Sequence, residues 1–390
     1  MVTRLEITQT ALRSCIGGNW YWVRLICLIL TVLVLIRRGN AQETPEELFQ
    51  QALDFYAQKL YDEAEDRLQK LKVEVPEFYD KEHGSVWYLL GRVMFDKHAP
   101  EQAFQIWRLG WQWLKAARRF DPFLLNDFVH QAVIAEEPKY YKDITLAYYE
   151  LLEKLNPVQH GTFLWRIYDE CEFILPENLK QKFESAMQSQ NQNLRPATLL
   201  KQFWRKQDLT PATLLNERLL EHLQRIEYAR RHFPYSNRRG FDERGKIYVQ
   251  FGQPTAKASA GTVGLDSSRE NPVLYVFHPH EVWSYRFLGR HIFFPFVNFE
   301  DGRGFVLVDR IDKAIPLHFT ESTRSQKGAT SRIDVRIYFY NQLARSNPIF
   351  YRWVKELDEV RGDQLLANTT FMGGRTPARI RDVRAIYSTA

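Results

Sequence analysis

Five side chains between residues 242 and 281 have the types that do acid–base or metal chemistry: Asp242, Glu243, His278, His280 and Glu281. Two carboxylates serve a hydrolase when a cleft pushes their pKa values apart, one held protonated and the other ionised. Asp242 and Glu243 are adjacent, and adjacent residues on a strand or turn point in different directions. Their spacing therefore suits a turn, where they accept from backbone N–H groups or pair with Arg244. In "HPHE" an extended chain would put His278 and His280 on one face, as two ligands of a metal should be. No third histidine stands at a motif spacing, and Pro279 fits an edge or a loop. Ser267 and Ser268 lack a G-x-S-x-G context, and the loop over 260–272 lacks phosphate-loop spacing. No catalytic residue, cofactor or metal is assigned on this basis. The alternative is an envelope enzyme, hydrolase-like and metal-assisted, acting on a polymer or peptide through these five groups.

The elements that must position these groups begin after a targeting segment. Arg4, Arg13 and Arg24 precede the apolar run Leu25 to Ile36, and small residues follow at Gly39 and Ala41. That pattern predicts a signal peptide over 1–41, cleaved after Ala41, and so an exported protein of the periplasm or cell envelope. The rival is an uncleaved membrane anchor built on residues 20–36, although twelve apolar residues rise only about 18 Å against a bilayer core of about 30 Å. Beyond residue 41 the chain keeps one cysteine, Cys171, which excludes an intramolecular disulfide and reads as a buried thiol beside Phe173 and Ile174.

Residues 45–78 predict a helix-turn-helix unit. Leu48, Ala52 and Phe55 form one apolar stripe, Ala64, Leu68 and Leu71 the other, and Pro76 closes it. A second copy places Trp87, Leu90, Gly91, Ala103 and Trp107 at matching positions, and a third runs from about Phe128 to Pro157. These residues resemble the tetratricopeptide repeat, which implies an α-solenoid over 42–188 that binds protein partners through a concave face. The polar stretch 189–199 reads as a linker.

An α+β domain is expected over 200–320. Thr210 is a good N-cap with Pro211 at the first helical position, and Leu215, Leu219, Leu223, Ile226 and Phe233 share one helix face. Ile247, Val249 and Phe251 then alternate, predicting a half-buried strand ended by Gly252 and Pro254. Further strands are expected at 273–277, 281–287, 291–299 and 304–309, a mainly antiparallel meander with a reversal at Asp301-Gly302. A β extension, partly flexible, closes the chain over 321–390, with Ile333, Val335, Ile337 and Phe339 on one face of a strand.

"FWRKQDLTPATLLNE", "RIEYARRHF", "RGKIYVQFGQP", "EVWSYR" and "FVLVD", in this order over about residues 200–310, resemble the GWxTD-domain family of bacterial exported proteins. The positions carrying the likeness are Asn216, Glu217, Gly240, Phe241, Asp242, Glu243, Arg244, Gly245, Gly252, Pro254, Trp283 and Tyr285. Where the family has Gly-Trp-x-Thr-Asp before Arg-Gly, this chain has Gly240-Phe241-Asp242-Glu243 before Arg244-Gly245, one residue shorter and without the Thr. The resemblance implies an envelope location and no defined activity. Asn216 and Glu217 are expected to orient the turn around Gly240.

Charge separates the two halves. Residues 42–200 carry 18 Lys and Arg against 26 Asp and Glu, and residues 201–390 carry 30 against 20. The expectation is that Arg230, Arg231, Arg238, Arg239, Arg244 and Lys246 face carboxylates of the helical half such as Glu63, Glu65 and Asp66. The external alternative is an anionic lipid or envelope polymer. Nucleic acid is not expected for an exported chain, even with Tyr228, His232 and Tyr235 interleaved among the basic residues. An exported scaffold of the cell envelope is the function these readings favour.

Overall fold

The computed structural model describes residues 43–188, 195–267, 273–287, 290–317 and 332–351. The expected signal segment, most of the linker and most of the C-terminal extension lie outside the described residues. The chain is of mixed helix and antiparallel sheet, an α+β protein, and divides into two compact units at Asp121/Pro122.

The first unit consists of two helix hairpins. Helices α1 (Pro45–Ala57) and α2 (Tyr61–Glu74) are joined by three residues, and Thr44 opens α1 with a capping box, reciprocally bonded to Glu47. Ala52 and Ala64 are fully buried with Leu48, Leu68 and Leu71. A two-residue ribbon, β1 (Tyr79–Asp80) against β2 (Gly84–Ser85), leads into α3 (Val86–Asp96) and α4 (Pro100–Ala116). These two helices approach so closely that a Cβ on Gly91 would lie 2.0 Å from the Trp107 ring and one on Gly110 2.5 Å from the Trp87 Cβ. Lys97, after α3, donates to Glu65 of α2 at 2.7 Å.

The second unit starts with α5 (Pro122–Ile134), α6 (Tyr141–Lys154), α7 (Gly161–Cys171), α8 (Glu177–Gln188) and α9 (Pro196–Gln207). It continues through α10 (Glu217–His232) and α11 (Glu243–Phe251) into β3 (Ala256–Ala258), β4 (Val263–Asp266), β5 (Val273–Val276), β6 (His280–Phe287), β7 (Arg290–Asn298), β8 (Phe305–Leu307) and α12 (Arg332–Ser346). The boundary expected at 189–199 is not where the compact units part. Helix α10 packs on α5, α6 and α9, which ties residues 122–207 to the sheet-bearing part of the chain.

The main sheet has the order β3-β6-β7-β8, all antiparallel. Strand alternation splits it between two cores. On one face Trp283, Tyr285, Phe294 and Phe296 pack with Ile226, Phe233, Phe241 and Ile247 of α10, α11 and the turn between them. On the other face Val282, Phe293 and Val297 pack with Val335, Phe339 and Leu343 of α12. The sheet is thus covered by helices on both sides. Beside it, β4 and β5 pair alone, with Tyr275 buried against Tyr338 and Val263, Leu265, Leu274 and Val276 on the exposed face.

Three expected elements take a different form. Residues 243–251 form a helix, not a strand. Asp242 caps its N-terminus, accepting from the Arg244 and Gly245 N–H groups at 2.9 and 3.4 Å, and Gly252 closes it at φ 74°. The stretch 332–346 is also helical, because its apolar residues need meet only one face of the sheet. Thr210 does not open α10, and the residue that does is Asn216, whose Oδ1 accepts from the Leu219 N–H at 2.9 Å. The hydroxyl of Thr210 donates to the Glu217 carboxylate at 2.6 Å.

Candidate functional site

The turn between α10 and α11, with the first turn of α11, carries the motif-like run Gly240 to Gly245, and α10 ends there because Phe233 and Pro234 leave the helix. The Asp242 N–H donates to the Phe233 carbonyl at 3.0 Å and Pro234 bridges Phe241, making a short antiparallel loop. Gly240 sits in it at φ 85°, a backbone conformation that side chains resist. Phe241 is buried edge-on to Phe173, and its ring lies where a Cβ on Gly245 would be, 2.6 Å away. Phe241 and Gly245 are therefore one packing unit: the aromatic fits because the first turn of α11 has no side chain there.

Asp242 does two jobs with one carboxylate. It caps α11, and its Oδ2 accepts from Arg244 Nη2 at 2.8 Å and Nε at 3.0 Å. Arg244 then reaches across to β6, donating to Glu281 Oε1 at 2.7 Å, and Glu281 Oε2 accepts from the indole N–H of Trp283 at 2.8 Å. Asp242, Arg244, Glu281 and Trp283 thus form a chain of bonds that clips α11 to the sheet. The Arg244 guanidinium also lies 3.6 Å from the Phe305 ring centre and 5.2 Å from that of Phe233. Tyr285 donates to the Gly252 carbonyl at 2.8 Å, and burial raises its phenol well above the usual range. Pro254 is buried in the loop that follows.

A cleft of about 340 Å³ opens beside this clip, lined by Tyr228, His232, Arg244, Lys257, Ser259 and Ser346, with Phe233, Ala258 and Glu281 completing its wall. Lys257 stands on β3 opposite Trp283, so both share a face. Its ammonium lies 4.4 Å from the Trp283 ring centre and 5.5 Å from that of Phe233. Partial desolvation lowers its pKa, and Arg244 adds to this while Glu281 opposes it. Nothing in the motif-like pattern pointed to Lys257. The available signal was its place one residue inside a short strand after Gly-x-Pro.

The histidines once eligible for a metal are otherwise engaged. The His280 ring holds the His278 carbonyl through Nδ1 at 2.7 Å and receives the Ala260 N–H through Nε2 at 3.1 Å. Both nitrogens are used, and burial lowers the ring's pKa, so it sits neutral in one tautomer. His278 packs on Phe299 instead. Glu243 meets Lys246, at 3.5 Å. No cluster of three or more metal-ligating side chains occurs among the described residues. Of the five acid–base candidates the structure brings together Asp242 and Glu281, both on Arg244, while Glu243 pairs with Lys246, His280 is bound in the core and His278 packs on Phe299.

Asn216 and Glu217 do not orient the Gly240 turn. They open α10 and the turn follows its end, so about 24 Å of helix separates them. Asn216 is fully buried and knits three helices: its Nδ2 donates to the Tyr149 hydroxyl and the Trp204 carbonyl, both at 2.7 Å, and its N–H to Thr145 at 3.2 Å.

The basic cluster does find carboxylates, on a helix of its own unit. Arg230 donates to Glu170 at 2.5 Å and Glu227 at 2.7 Å, Arg238 lies 3.0 Å from Asp169, and Arg239 donates to Glu172 at 2.6 Å. His130 adds a 2.8 Å contact to Glu227. Burial alone would raise the Glu170 carboxyl; Arg230, His130 and Arg166 outweigh it and hold it at about 2. Nearby His222 is driven down to about 3, by burial first and by Arg225 and Arg230 besides, against the pull of Glu170. Cys171 is free and buried, its thiol pushed up by burial and by Glu170, Glu172 and Asp169.

No helix among the described residues is long and apolar enough to cross a membrane. Comparison with protein-family models, with curated proteins and with solved structures found no match.

Proposed function

We propose that this chain is an exported scaffold of the cell envelope, a GWxTD-like binding module preceded by tetratricopeptide-like helix pairs that take protein partners. The observation that carries the reading is how the motif residues are spent. Asp242 caps and pairs, Arg244 and Glu281 clip α11 to β6, and His280 uses both ring nitrogens within the fold. Residues bound this way hold a surface in shape, which supports a binding role for the module. The close helix pairing at Ala52/Ala64 and at Gly91/Trp107 supports the repeat-like reading of the first unit. The leader pattern of residues 1–41 supports export.

Cross-linking in the intact envelope, followed by capture of the tagged full chain, tests this. Specific recovery of a protein partner, lost when Glu63, Asp66 and Lys70 on the first hairpin are reversed in charge, is expected. A chain that fractionates with the cytoplasm, or that captures no partner under cross-linking, would overturn it.

A further inference from the structure

Among the cations beside the cleft, Lys257 differs from Arg244. Arg244 is held by two carboxylates, whereas the Lys257 ammonium has no hydrogen-bond or ion-pair partner among the described residues and rests on two aromatic rings. Ser259, Ser346 and Tyr228 line the same space, with the Ser346 hydroxyl oxygen accepting from the Ser259 N–H at 3.3 Å and its own proton left to donate. So does His232, whose Nδ1 holds the Tyr228 carbonyl at 2.9 Å and whose ring stacks on Tyr228 at 3.8 Å, leaving Nε2 toward ligand or solvent. Arg231 and Arg345, the chain neighbours of His232 and Ser346, likewise have no ion-pair partner among the described residues. The one carboxylate in the wall, Glu281, has both oxygens engaged.

We infer that this cleft binds a ligand through a single carboxylate, with Lys257 as the charged contact and the Ser259 and Ser346 hydroxyls as neutral ones. The charge type follows from the excess of unpaired cations. The single charge follows from what surrounds them: α10 and α12 both end at the cleft, at His232 and Ser346, and helix C-termini carry negative partial charge. With Glu281 beside them, they disfavour a dianion such as phosphate, which helix N-termini and guanidinium forks recognise instead. Among the described residues β3, which carries Lys257, is the edge strand of its sheet, a place where an extended chain can add. The carboxylate can therefore come from a peptide terminus or from a small organic acid. This inference rests on the reading of the second unit as a binding module.

The test uses the full chain and the rate at which acetic anhydride acetylates Lys257, followed by peptide mass spectrometry, with Lys246 and Lys313 as internal references. The probes are acetate, N-acetyl-trialanine, the amide of that peptide, and inorganic phosphate. Saturable protection of Lys257 alone by the peptide acid, about tenfold or more, and none by the amide is expected. Equal protection by acetate assigns a small acid as sufficient, and protection by the peptide acid only assigns a peptide terminus. Lys257→Gln should weaken binding of the peptide acid, measured by calorimetry, by about tenfold, the loss of one charge-assisted hydrogen bond. Lys257→Arg should keep most of it. Lys257 is exposed, so neither variant should alter the circular dichroism. Absence of saturable protection, or equal protection by amide or by phosphate, overturns the inference. Envelope capture through the first unit would be unaffected by Lys257→Gln, so the two proposals fail separately.

Discussion

Replacing His222 by Gln should flatten the acid side of the stability profile. His222 is buried against Trp204, ring centres 4.8 Å apart, and its Nε2 has no hydrogen-bond partner. Burial holds its pKa at about 3 in the fold, against 6.5 when exposed. Below 6.5 the unfolded chain takes up a proton that the folded chain refuses, so stability falls as pH falls through 6.5 and goes on falling toward 3. Between pH 7.5 and pH 5 the loss is about 2 kcal/mol by linkage. The figure hardly changes for any folded pKa up to about 4, since at pH 5 the folded ring is neutral in either case. Urea unfolding followed by tryptophan fluorescence at the two pH values would measure it, in wild type and in His222→Gln. The other histidines contribute equally to both proteins and cancel in the comparison. The wild type should lose about 2 kcal/mol more than the variant. Equal losses, or a His222 proton resonance that titrates near 6.5 in the folded chain, would refute the argument.

Other perturbations follow from the same geometry. Arg230→Met leaves Glu170 buried without its main partner and should cost about 3–5 kcal/mol in urea unfolding, most of it recovered in the double variant with Glu170→Met. Gly245→Ala drives a methyl into the Phe241 ring and should cost about 1–3 kcal/mol, relieved in part by Phe241→Leu. Leu265→Thr and Leu274→Thr lie on the exposed face of the β4–β5 ribbon and should shift stability by no more than about 0.5 kcal/mol. Tyr275→Ala on its buried face should cost about 3–5 kcal/mol by the same measurement.

The sequence pattern carried the strands best where one residue in two had to face a core. Trp283 and Tyr285 alternate with Val282 and Ser284 because the two faces of β6 serve two different cores, and the run 281–287 reads as a strand without help. The same alternation misled at 247–251. On this nine-residue helix Ile247 and Phe251 share a side while Val249 points almost opposite, yet Ile247 and Val249 are both buried because α11 is enclosed on more than one side, which imitates a strand's alternation. What separates the readings is at the ends: Asp242 as a cap, Glu243 in the first turn and Gly252 just past the last. Gly252 and Pro254 can stop a strand as well as a helix, and here Gly252 closes a helix. Residues 332–346 misled for a related reason, since aromatic and β-branched residues favour strands only until a flat sheet face offers a helix a better burial. The cleft was less legible still. Lys257 gains its meaning from Trp283, Phe233 and Glu281, which approach it from another strand and a helix end, and no spacing along the chain encodes that.

The charge asymmetry shows how far a compositional signal can be followed. Acidic residues do collect before position 200 and basic ones after it, and part of the excess is consumed in contacts between Asp169, Glu170 or Glu172 and Arg238, Arg230 or Arg239. These join the end of α7 to the turn after α10 within one compact unit. Glu170, buried like Asp169, is held ionised chiefly by Arg230, so that contact behaves as part of the fold rather than as a screened surface pair. Salt should therefore leave this junction closed, whereas Arg238, whose side chain is 74 % exposed, contributes little to it. Arg230, Arg238 and Arg239 are thus paired within the unit. Among the described residues Arg231, Lys257 and Arg345, in or beside the residues that line the cleft, have no ion-pair partner, and an external anion gains by meeting them there.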